Sequence, residues 1–131
     1  MADDEELTTL RLVGSWSLDS LEVSGAAGVM RTEFPGVLGL LTYTDSGHMS
    51  ALVQAPESLF GWSFVAYGGR FTIKGREITH HVMVGMEPTV PGVSVIREAS
   101  LIRSASAELL KISGRIGQTD TTLVWRKNSP A

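Results

Sequence analysis

The stretch Gly14-Ser15-Trp16-Ser17-Leu18-Asp19-Ser20-Leu21-Glu22-Val23 decides the fold. Trp16, Leu18 and Ser20 fall on one face and Ser15, Ser17 and Asp19 on the other, the two-residue period of a strand. The pattern closes far downstream at Leu123-Val124-Trp125-Arg126. Between the two tryptophans the chain is a series of alternating or β-branched segments, punctuated by Gly, Pro, Asp and Asn, so each strand feeds the next through a short link. A sheet this long has two exposed edges unless it closes on itself. The reading is therefore an all-β, antiparallel, up-and-down eight-stranded barrel, closed by pairing of residues 14–23 with residues 120–127. A barrel of about eight strands has room inside for side chains or one small ligand, which places function in the interior.

Working outward, residues 36–44 form the second strand, and Asp45-Ser46-Gly47 turns it into a third at 48–54. Residues 55–61 hold Pro56 and Gly61 and are a short link of about one helical turn. Strands follow at 62–73 and 76–86, joined at Lys74-Gly75. Residues 87–92, with Pro88 and Pro91, are a rim loop. The last strands are 93–103, 107–114 and 120–127. Residues 24–28 are a small-residue loop. Ahead of the barrel, residues 3–11 are expected to form a short helix capped by Asp3 or Asp4, with Leu7 and Leu10 plugging one end. The chain of 131 residues is one domain, with the barrel over about 12–127.

Composition excludes several function classes. Apolar residues make up 43% and charged residues 19% of the chain, which suits a globular domain with a core. Net charge is −3 without a Lys/Arg cluster, so neither nucleic acid nor an acidic membrane surface is an expected partner. Cysteine is absent, which removes disulfides, thiolate nucleophiles and cysteine zinc sites. The start is acidic, unlike a secretory signal, and no apolar run approaches the roughly 18 to 20 residues of a membrane span. The cytoplasm is the expected compartment, and a monomer or homodimer the expected state.

Several ordered segments carry a resemblance. They are Gly14-Ser15-Trp16, Leu41-Thr42-Tyr43, Gly47-His48-Met49-Ser50-Ala51, Ala66-Tyr67-Gly68-Gly69-Arg70-Phe71, His80-His81-Val82, Pro91-Gly92, Arg97 and Leu123-Val124-Trp125-Arg126. Together they resemble the lipocalin-like domain family, the small calycin-type single-domain barrels of bacteria and fungi. The resemblance implies an eight-stranded barrel with an internal cavity and no single reaction. Related barrels include passive carriers and cyclases that fold polyketide-type intermediates; some ligate haem through one histidine. It also implies a Trp16 at the barrel floor with a late-strand arginine, Arg126 or Arg115, stacked on it. The link at 55–61 is shorter than the helical insertion common in that family.

Four residues are candidates for chemistry. His80 and His81 are adjacent in a strand and point to opposite faces, so they cannot share a metal. His80 is the one expected to face the cavity, because Ile78, Val82, Val84 and Met86 would share its face. Imidazole titrates near neutrality and serves as acid, base or donor; a structural histidine bonded to the sheet is the ordinary alternative. Arg97 interrupts an apolar strand face, where it needs a carboxylate, a carbonyl or a ligand oxygen. It either anchors an anionic ligand or pairs with Glu22 or Glu33. Tyr67 offers a phenol beside Val65 and Phe71, to donate to a ligand carbonyl or to pack with its hydroxyl bonded to backbone. Tyr43, Met49, Trp62, Phe64, Met83 and Met86 are the candidate ligand lining. No metal site or phosphate loop appears, and no cofactor is expected.

The expected function is binding of a small hydrophobic or amphipathic molecule. It leans towards a cofactor-independent cyclase, isomerase or dehydratase of natural-product biosynthesis, in which the cavity holds a flexible substrate in a reactive shape. The alternative is a non-enzymatic carrier with the same barrel.

Overall fold

The computed structural model describes residues 3–25, 28–32, 38–54, 64–116 and 119–129. Among these lie the strands β1 (Asp3–Glu5), β2 (Gly14–Gly25), β3 (Gly28–Thr32), β4 (Leu38–Tyr43), β5 (His48–Gln54), β6 (Phe64–Lys74), β7 (Glu77–Gly85), β8 (Ser94–Arg103), β9 (Glu108–Ile116) and β10 (Thr119–Lys127), with one helix, α1 (Thr9–Leu12). Hydrogen-bonded neighbours run β2-β4-β5-β6-β7-β8-β9-β10 and return to β2, all antiparallel, so eight strands close a barrel. The closing seam is the expected one: Val23 stands opposite Thr121 and Trp16 opposite Lys127. Closure leaves none of these eight strands with a free edge for another chain to extend.

Two short strands add to the eight. Of the loop expected at 24–28, Ser24 and Gly25 instead belong to β2 and pair with Val29 and Gly28 of β3, while residues 26–27 lie outside the described residues. At the N-terminus, β1 pairs with β8, where a helix over 3–11 was expected. The helix begins only at Thr9, because Thr8 caps it through Oγ1, which accepts from Arg11 N. Leu12 and Leu7 pack against the core, whereas Leu10 is 85% exposed and plugs nothing.

The floor is built by α1 and the first residues of β2. Trp16 is fully buried, and its Nε1 donates to Leu12 O at 2.9 Å. Lys127 Nζ donates to Arg11 O at 3.3 Å and stands 5.4 Å from the Trp16 ring. Two terminal carbonyls of the helix thus find donors, and the ring receives a cation on its face. That cation is Lys127, where Arg126 or Arg115 was expected; the Arg115 side chain lies outside what is described. Arg126 points outward to Asp19 at 3.3 Å.

Two bulges set which side chains face inward. On β2, Leu18 pairs with Trp125 and Ser20 with Val124, so Asp19 is an extra residue. Beyond it Leu21, not Ser20, is buried. On β7, Val82 pairs with Gly69 and Val84 with Gly68, so Met83 is extra. Beyond it Val84 is 67% exposed. Gly69 permits this bulge: a Cβ there would run into the His81 carbonyl and stand 3.0 Å from Met83 N.

Candidate functional site

The inward faces of the eight strands enclose a cavity of about 140 Å³. Its wall is mostly aliphatic, with Leu18, Leu21, Leu41, Ile112 and Leu123 among the lining, and Trp125 on one side. Gly39 seats Trp125: a Cβ on that glycine would lie 3.0 Å from the indole. Trp125 is therefore a cavity wall, not part of the floor with Trp16. The described rim is the turn after β7, which sets Pro88 and Thr89 over the cavity. Met86 N donates to Ala66 O and Thr89 N to Met86 O, which ties that turn to β6.

Three polar residues of the wall are Tyr67, His80 and Arg97. They come from β6, β7 and β8, which are neighbours in the barrel. His80 is 3% exposed, and hydroxyls hold both of its ring nitrogens. Tyr43 Oη lies 2.7 Å from Nε2, and Tyr67 Oη lies 2.7 Å from Nδ1. Tyr43 packs edge-on to Phe71, with ring centroids 4.8 Å apart, which fixes the inner end of the chain.

Proton counting assigns the direction of these bonds. Burial first, then the charges of Arg97 and His81, pull His80 down to about 3, so the ring is neutral at ordinary pH. A neutral imidazole donates from one nitrogen and accepts at the other. Tyr43 is 1% exposed and has no other hydrogen-bond partner among the described residues. If Nε2 carried the proton, the Tyr43 hydroxyl hydrogen would be buried unpaired, which is costly. Tyr43 therefore donates to Nε2, and Nδ1–H donates to the Tyr67 oxygen. The Tyr67 hydroxyl hydrogen is left to point into the cavity. Burial pushes the Tyr67 phenol up to about 12, with Arg97 pulling the other way, so it is a neutral donor. Burial raises Tyr43 well above the ordinary phenol value, reinforced by Tyr67.

Arg97 is half-buried and its Nη1 donates to Ile96 O at 2.9 Å. Burial lowers its pKa while Tyr67 opposes the shift. Among the described residues no carboxylate pairs with it; Glu33 and the Glu22 side chain lie outside what is described.

The remaining candidates divide. Tyr43 joins the site through His80 without lining the cavity. Met49 is buried opposite Tyr43 in the core. His81 faces outward, with Nε2 3.1 Å from Thr72 Oγ1. Phe64, Met83 and Met86 are 39%, 58% and 56% exposed and stay off the cavity wall. Alternation on β6 turns Val65 and Tyr67 in and Phe64 out, and the Met83 bulge breaks the alternation on β7. Trp62 lies outside the described residues. The leucine wall and Thr89 were missed. Alternation with Trp16 and Trp125 marks Leu18 and Leu123; nothing local marks Thr89. His80 does not suit haem ligation, since neither ring nitrogen is free.

Compared with protein-family models, curated proteins and solved structures, the chain matches none. The architecture is that of a calycin-like barrel and is compatible with small-molecule binding. No helix of the described residues is long and apolar enough to cross a membrane.

Proposed function

We propose that this chain is a lipocalin-like barrel that binds a hydrophobic, carbonyl-bearing molecule and promotes its ring closure without a cofactor. The observation that carries the reading is the Tyr43–His80–Tyr67 chain beside an apolar cavity, in which proton counting leaves one phenolic hydrogen for a ligand. A fixed donor in a low-dielectric site stabilises charge that develops on a carbonyl oxygen. The donor polarises and does not ship its proton. Full transfer along the chain would strand a phenolate on buried Tyr43, which burial strongly disfavours.

That distinction selects among the reactions considered. Isomerisation and dehydration need a base to take a C–H proton. The one imidazole in the wall has Nε2 occupied by Tyr43, and no carboxylate lines the cavity among the described residues. A pericyclic closure of a polyketide-type intermediate, a diene adding to an enone within one molecule, moves no proton. Two new C–C σ bonds replace two π bonds, the carbonyl need only be polarised and the substrate folded, and the product is an isomer. The enclosed volume of about 140 Å³ matches an engineered cavity of about 150 Å³ that takes benzene. It therefore accepts the reacting end of such a molecule, a ring or short branched chain, with the rest reaching the mouth.

A carrier is the second reading, favoured by the aliphatic character of most of the wall. One experiment separates the two. Protein purified from its source is read by native mass spectrometry for a co-purifying small molecule, which is then incubated with wild type and with Tyr67→Phe. Ring closure predicts an isomer of unchanged mass, formed at least tenfold more slowly by the variant. Return of the molecule unaltered by wild type leaves the carrier.

A further inference from the structure

Gly114 marks a polar corner beside the cavity, one alternation beyond the lining residue Ile112 and next to the lining residue Arg97. It stands on β9 opposite Thr121 of β10. On its other side Glu98 pairs with Ser113, so the next step of the ladder sets Arg97 level with Gly114. The Arg97 side chain lies across the glycine: a Cβ on Gly114 would be 2.6 Å from Nε and 2.9 Å from Cζ. The missing side chain is thus the seat of the guanidinium. Beyond it, Thr121 is 2% exposed, and its Oγ1 has no partner among the described residues. A buried hydroxyl without a partner is costly and rare.

We propose that this corner holds the carboxylate of the ligand, with Arg97 and Thr121 gripping the acid across Gly114 while Tyr67 donates to a second oxygen. The ligand class is then a small oxo- or hydroxy-carboxylic acid whose apolar part fills the leucine-lined wall. A guanidinium matches a carboxylate with two parallel N–H donors. One hydroxyl completes the cradle. A single guanidinium balances a single negative charge, whereas a phosphate dianion brings one more than the corner offsets. A neutral ligand would bring no counter-charge to a half-buried cation that pairs with no carboxylate among the described residues.

The inference rests on reading the cavity as a ligand site but not on ring closure. The test is calorimetric titration with benzoate and its neutral isostere benzamide. Wild type is expected to bind benzoate at least tenfold tighter. Arg97→Met should erase that preference, and Thr121→Val should weaken benzoate three- to tenfold while sparing benzamide. Gly114→Ala, whose methyl displaces the flexible arginine, should act like Arg97→Met and serves where that variant fails to fold. Equal binding of the two probes, no benzoate binding at millimolar concentration, or a preference that survives both Arg97→Met and Gly114→Ala overturns the proposal. An acid preference in a protein that returns its own ligand unchanged sustains this inference and removes ring closure.

Discussion

Tyr67 Oη lies 2.7 Å from Nδ1 of His80, and that bond joins the cavity to the buried core. Tyr67 stands in the wall, whereas His80 is almost wholly buried and is held from behind by Tyr43. The donor at the cavity is therefore oriented by an imidazole whose two ring nitrogens are both engaged. Preorganisation of this kind makes one phenol more useful than the same group on a mobile rim.

The two tyrosines are the only ones in the chain, which makes their ionisation readable. In a spectrophotometric titration neither should ionise at the ordinary phenol value of about 10. Tyr67 should keep its proton to about 12, and Tyr43 beyond the ordinary value as well. A transition at the ordinary value in folded protein would mean that a hydroxyl is solvated.

His80 makes stability depend on pH in a defined window. Its folded value of about 3 lies below the ordinary 6.5, so the unfolded chain takes up a proton first as pH falls. The contribution is intact above 6.5 and is lost progressively towards 3. The slope from this residue is at most about 1.4 kcal/mol per pH unit. Urea unfolding at pH 7, 6 and 5 should show this slope in wild type and lack it in His80→Gln, even though the variant is less stable throughout. Equal slopes in the two proteins would contradict a buried neutral imidazole.

Trp16→Ala should destabilise the barrel by about 3 to 5 kcal/mol, as large aromatic truncations in cores do. The residue is fully buried and carries the hydrogen bond that ties β2 to α1. A change in unfolding midpoint too small to resolve would remove Trp16 from the floor.

The barrel was legible because strand alternation and turn chemistry are local. Gly47 and Gly75 adopt positive φ at the two turns that Asp45-Ser46-Gly47 and Lys74-Gly75 announce. Bulges are less legible, since one extra residue is set by the partner strand. Asp19 and Met83 each reverse the facing of the residues beyond them, so simple alternation puts Ser20, Val84 and Met86 on the wrong side. The N-terminal segment misled because Asp3 and Asp4 are as good caps as Thr8, and pairing of β1 with β8 overrode them. At the site, His80, Tyr67 and Arg97 announced themselves as polar groups on apolar faces. That Tyr43 and Tyr67 share one imidazole was not legible, because it depends on how β4, β6 and β7 approach in space. Gly114 and Thr121 carried no local signal; their part comes from cross-strand register.

The tautomer of His80 fixes where the Tyr67 hydrogen points, and with it the donor that the cavity offers. Long-range ¹H–¹⁵N correlation spectra of the histidine rings measure it directly. His80 should be neutral, with Nδ1 protonated and Nε2 bare, and unchanged between pH 8 and pH 5. A protonated Nε2 with a bare Nδ1, or an imidazolium at pH 6, would contradict this arrangement: the first turns the Tyr67 hydrogen away from the cavity, and the second places His80 in contact with solvent.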